Sequence, residues 1–273
     1  MSWSRRLSLE PADALRAGVP LFVLLGAVAL PGPVLPVILA GVLVAGVGIA
    51  VARRAPVAWS WGAAVPAALI ASVRALEPPS STWAATVCGA TGGPAVVWAV
   101  GEALLVVAAA AILTVALKAK AADAGLRLLP RYAIGWAVIG GLAVLALGLA
   151  GAVFFVQPVL GGAAVHVDGP AFLLPAVVFA VALAVSEETA WRGILQGWLA
   201  RLLGPFLAAL AQAALYGVAW GVILGSSYAG LLAGAAGLLL GAVVIRTRSL
   251  LVVISWHAAF NVALYLVVVC RPG

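Results

Sequence analysis

The sequence predicts an all-α protein: a polytopic transmembrane helical bundle of eight or nine membrane-spanning helices, with a cytoplasmic N-terminus. Three observations predict it. Of 273 residues, 66% are hydrophobic and only 8% charged, against about 45–50% apolar and about 25% charged in a soluble domain. Apolar runs repeatedly reach the ~20 residues that span a hydrocarbon core, where only helices satisfy their own backbone groups. The basic residues fall between those runs, mostly at every second gap. A β-barrel would show short segments of alternating polarity, which this chain lacks.

The runs lie near 17–30, 33–52, 56–73, 94–117, 132–156, 171–200, 205–224, 229–245 and 249–269. The first is short and ends at Pro31-Gly32-Pro33, as half of a tight hairpin would. Charge supports counting it as a crossing. With nine crossings and the N-terminus inside, twelve basic residues fall on the cytoplasmic side, from Arg5 and Arg6 through Lys118, Lys120 and Arg127 to Arg246 and Arg248. Only Arg74 and Arg271 fall outside. That is the bias of the positive-inside rule, and it explains the net charge of +7 without nucleic acid. No cleavable signal peptide stands out, because Arg5 and Arg6 are followed by Glu10 and Asp13 and no small-residue cleavage site follows. The head reads as a cytoplasmic tail. The expected partners are the lipid bilayer and a membrane protein or peptide substrate, and the expected location is a bacterial inner membrane, crossed many times.

The expected external loops are 74–93, with Pro78-Pro79-Ser80-Ser81 and Cys88, and 157–170, with His166 and Asp168. Cys88 and Cys270 both face out on this topology and are free to bond there; two cysteines are too few for a disulfide framework or a zinc cluster. The C-terminal Cys270-Arg271-Pro272-Gly273 occupies a prenylation position without the aliphatic pair that signal needs. Segment 118–131 is the longest internal basic loop. It divides residues 1–131, which carry no motif, from residues 132–273, which carry all of them.

The chemistry concentrates in two places. In the run 171–200, Glu187, Glu188 and Arg192 stand within an apolar stretch, where each ionised group costs roughly 2.5–3.5 kcal/mol or more unless paired or wetted. On an α-helix Glu188 and Arg192 are one turn apart. An ion pair between them leaves Glu187 free to take a proton, as a general base must. Snorkelling to the interface explains them less well, since Glu187 is sixteen residues into its run. In the last run, His257 and Asn261 share one helix face at i, i+4 and offer hydrogen bonds to a developing oxyanion. Alone, such a pair is more often glue between helices; beside two buried glutamates it gains a catalytic reading.

These residues resemble a family. Glu187-Glu188-Thr189-Ala190-Trp191-Arg192-Gly193 is similar to the first motif of the CAAX protease and bacteriocin-processing family, intramembrane glutamate proteases related to the Ras-converting CAAX endopeptidase. His257 and Asn261 match its last motif. The stretch from Gly241 through Arg246, Arg248 and Ser249 is similar to the segment before it. The resemblance covers roughly 170–265 and implies Glu187 as general base, Glu188 held by Arg192, and His257 and Asn261 serving the substrate carbonyl, with no metal and no cofactor. The family's middle motif is an aromatic residue followed four positions later by histidine. Here Tyr216 is followed by Trp220, which can donate one hydrogen bond but accepts neither proton nor metal. Tyr216 and Trp220 are thus expected to contact substrate, and the substitution weakens the machinery, redirects it or marks a pseudoenzyme.

Other readings remain in view. The histidines and cysteines are too few for a zinc protease, no Gly-x-Gly-Asp aspartyl motif occurs, and Ser226-Ser227 has no histidine placed to activate it. A proton-coupled transporter draws on Glu102, eight residues into the 94–117 run, which suits an ion pathway or a partner for Arg192. Paired, broken helices at matching positions of two halves, the mark of a transporter, are missing. A catalytically impaired adaptor or immunity protein is favoured by Trp220. Trp191 and Trp198, at i, i+7, are expected to line one packing face.

Overall fold

The computed structural model describes residues 11–30, 34–53, 58–76, 87–88, 93–119, 131–160, 165–167 and 170–272. The Pro31-Gly32-Pro33 turn, the N-terminal tail, the stretch around Pro78 to Ser81, Asp168 and most of the basic segment 118–131 lie outside these residues.

Besides the one-turn helix Gln157–Leu160, nine helical runs occur among the described residues. They are α1 (Pro11–Ala29), α2 (Val34–Ala52), α3 (Ala58–Ala75), α4 (Gly93–Ala116), α5 (Arg131–Phe155), α6 (Leu173–Glu187) continuing through a π-helix (Glu188–Leu195) into α7 (Gln196–Leu203), α8 (Pro205–Ile223), α9 (Ser227–Thr247), and α10 (Leu250–Leu264) ending in a π-helix (Tyr265–Val269). Seven of the runs are long and apolar enough to cross a membrane, which makes this an integral, multi-pass membrane protein. The other two are the short α1 and α3. Most of α3 is buried by protein, including Ser60 and Ser72, so it can carry polar residues that a lipid-facing helix could not. By contrast, Ile139 and Leu142 on α5 are exposed, as side chains solvated by lipid are.

One feature departs from an all-α fold. Val165–Val167 (β1) pairs in parallel with Cys270–Pro272 (β2), Val165 opposite Cys270. Cys270 is also bonded to Cys88 in a disulfide.

The chain packs as two compact units that share it in alternating stretches. Unit 1 comprises residues 1–76, 106–127 and 189–250; unit 2 comprises 77–105, 128–188 and 251–273. In unit 1, α8 and α9 approach closely because glycines face each other. A Cβ on Gly217 would lie 2.8 Å from the backbone oxygen of Gly230, and one on Gly230 would lie 2.8 Å from that of Gly217. This is the small-residue packing that membrane helices use in place of a hydrophobic driving force. Gly204, at φ 81°, ends α7, and Pro205 starts α8 with the fixed φ suited to a first turn.

In unit 2, α10 docks on α5 through two side chains. Ser255 Oγ donates to Ala137 O at 3.0 Å and Trp256 Nε1 donates to Trp136 O at 2.9 Å. Gly140 makes room, since a Cβ there would overlap the Trp256 indole. Phe179 of α6 meets Tyr265 edge-on, with ring centroids 5.2 Å apart. These contacts fix the two helices that bear the motifs of unit 2.

Candidate active site

Unit 2 gathers Glu187 and Glu188 with His257 and Asn261. All four are buried. Glu187 ends α6, and Glu188 opens the π-helix. The i→i+5 bonding of that stretch is wider than the α-helix expected from the sequence, and such insertions are frequent at functional sites. The boundary between the two units falls after Glu188, inside this continuous helix.

His257 projects from α10 toward the glutamates. Its Nδ1 lies 2.6 Å from Glu188 Oε1, a hydrogen bond, and its Nε2 lies 4.0 Å from Glu187 Oε2. One turn further along α10, Asn261 donates from Nδ2 to Ala180 O at 3.5 Å, long for an N–H···O bond. That amide is therefore only lightly committed to the backbone of α6.

Two further groups belong to this cluster. Ser186, the residue before Glu187, is fully buried; its Oγ donates to Glu102 Oε1 at 2.5 Å and also lies 3.0 Å from Leu183 O. Sequence reasoning singled out Glu102 but had no signal for Ser186, since a serine in a helix ordinarily bonds to its own preceding turn.

Arg192, Tyr216 and Trp220 lie in unit 1. The Arg192 guanidinium stacks 4.2 Å above the Tyr216 ring, a geometry that suits a buried cation. Gly237 leaves the space, since a Cβ there would sit 3.2 Å from both Arg192 Nη2 and Tyr216 Cδ1. One helical step on, Gln196 Nε2 donates to Gly241 O at 3.0 Å. Tyr216 meets Trp191 and Trp220 edge-on, at 5.5 and 6.3 Å, and Arg74 lies 4.9 Å over Trp220. Trp191, Tyr216, Trp220 and Arg74 line a cavity of about 260 Å³ within unit 1.

Residues 169–263 match the family model described as Type II CAAX prenyl endopeptidase Rce1-like. That segment is similar to the Rce1-like family. The match takes in the glutamate pair, Arg192, Tyr216, Trp220, His257 and Asn261, and leaves the first half of the chain outside. No curated protein and no solved structure matches the chain significantly. The matched segment is thus similar to a family of proteases.

Proposed function

We propose that the protein is an intramembrane endopeptidase in which Glu187 activates a water to hydrolyse a peptide bond of a membrane-associated or C-terminally tailed protein. The observation that carries this reading is the imidazole of His257 standing between two carboxylates, bonded to Glu188 at 2.6 Å and facing Glu187 at 4.0 Å. An ionised carboxylate only accepts, so Glu188 holds the tautomer with its proton on Nδ1 and leaves Nε2 as an acceptor. A spacing of 4.0 Å is one that a water bridges. Such a water gives one hydrogen to Glu187 and the other to Nε2, with its lone pair turned to a substrate carbonyl carbon.

In the reaction, the water oxygen bonds to that carbon as its proton passes to Glu187. The carbonyl oxygen becomes an oxyanion, which the amide of Asn261 receives. Collapse breaks the C–N bond, and Glu187 returns the proton to the leaving amine. Tyr216 and Trp220 keep the substrate-contact role as walls of the unit 1 cavity, with Arg192 supporting the Tyr216 ring. The setting we propose is a bacterial inner membrane.

The test uses proteoliposomes and an internally quenched peptide ending in a prenylated cysteine and three further residues, alongside the same peptide without the prenyl group. Wild-type protein is expected to cleave at least one of them, and Glu187→Ala neither. Cleavage by Glu187→Ala at the wild-type rate would sink the reading. Trp220, which cannot accept a proton, favours a second reading: a catalytically impaired adaptor. Binding of the peptides by the wild type without cleavage would select it.

A further inference from the structure

We infer that Glu102 is a positioning residue for the glutamate pair, acting through Ser186; the inference rests on the hydrolytic reading above. Glu102 stands on α4, outside the Rce1-like segment, and is 2% exposed. A carboxyl at that depth costs roughly 2.5–3.5 kcal/mol or more unless compensated, yet it takes no part in the reaction as drawn. One bond it accepts comes from Ser186, eighty-four positions away.

Ser186 does not need Glu102 for its own satisfaction, because Leu183 O of the preceding turn is within 3.0 Å. A hydroxyl has one proton to donate, and giving it to Glu102 rather than to Leu183 O ties α4 to α6. Its position gives it leverage. Residue 186 is held from α4 and residue 188 is held from α10 by His257, so Glu187 lies between two fixed points on one stretch of helix. Successive side chains leave a helix about 100° apart, so a rotation of residue 186 carries the Glu187 carboxylate with it. A misplacement of about 1 Å at a reacting group can cost about 10²-fold in rate.

The test compares variants on the quenched peptides and by the imidazole nitrogen resonances of His257. The chain has only two histidines, so that signal is readily assigned. Glu102→Ala is expected to lower kcat about 10- to 100-fold with little change in KM, and to move the His257 signal toward that of an unbonded ring. Glu102→Gln keeps an acceptor oxygen for Ser186 and is expected to restore both within about threefold. Ser186→Ala should match Glu102→Ala, and the double variant should be no worse than either, because the two act as one unit. Glu102→Ala with rate and His257 signal both unchanged overturns the inference. So does Glu102→Gln as impaired as Glu102→Ala, which would make the carboxyl itself a participant. Where no variant, nor wild type, cleaves the probe, the His257 signal alone decides. Wild-type cleavage by Glu187→Ala, in contrast, removes the hydrolytic reading and leaves the tie between α4 and α6 to stand or fall on that signal.

Discussion

Unit 2 and unit 1 each bury charged groups, but with different company. In unit 2, Glu188 meets a histidine and Glu102 a serine, partners joined by hydrogen bonds along which a proton can move. In unit 1, Arg192 and Arg74 lie over the rings of Tyr216 and Trp220. A guanidinium cannot be deprotonated in a protein and a ring face neither gives nor takes a proton, so these cation–ring contacts themselves move no proton. Bond-breaking chemistry is therefore expected of unit 2, and framework and substrate contact of unit 1, although the matched segment contributes residues to both.

The largest effect that can break this contrast is at Glu187. Glu187→Ala should lower peptide hydrolysis by roughly 10²–10⁴-fold, the usual contribution of a general base, with its thermal stability in detergent close to wild type. A comparable loss of rate from Arg74→Gln would erase the distinction between the units. Next comes the disulfide. Replacing Cys88 and Cys270 by serine should cost about 2–5 kcal/mol of stability, read by denaturant titration. Hydrogen exchange should place the loss in β1, β2 and the ends of α6 and α10 rather than in α8 and α9. A loss spread evenly would show that the units do not unfold separately.

Within unit 1, Gly217→Val presses a side chain on the backbone of Gly230 and should destabilise by about 1–3 kcal/mol. The expected signature is faster exchange in α8 and α9 with the His257 signal unmoved. The smallest effect belongs to Arg74→Gln, which gives up a partly exposed cation–ring contact of about 0.5–1 kcal/mol. A shift in melting temperature beyond that scale would assign Arg74 more than packing.

Much of the fold could be read from hydropathy, because lipid imposes apolar length directly; each run from 17–30 to 249–269 has a helix at its place. Glu187, Glu188, His257 and Asn261 were visible because a charged or polar residue in an apolar run stands out by its cost. The winding at Glu188–Leu195 was not visible, since the spacing of residues assumes an α-helical period until backbone bonds are known. Nor was the Gly217–Gly230 approach. Helices apolar on every side do not reveal which face meets protein and which meets lipid. The Ser186–Glu102 bond and the β1–β2 pair join residues far apart in sequence, so no local pattern announces them.

The pairing of β1 with β2, with its disulfide, has a mechanical consequence. β1 leads into α6 and β2 follows α10, so the two motif helices of unit 2 share an anchorage at one end. Helices clamped together at an end cannot slide past one another; they can only swing about it. His257 lies thirteen positions from the clamp at Cys270, about 20 Å along a helix. At that lever arm a swing of a few degrees would change the distance between Nε2 and Glu187 by roughly 1–2 Å.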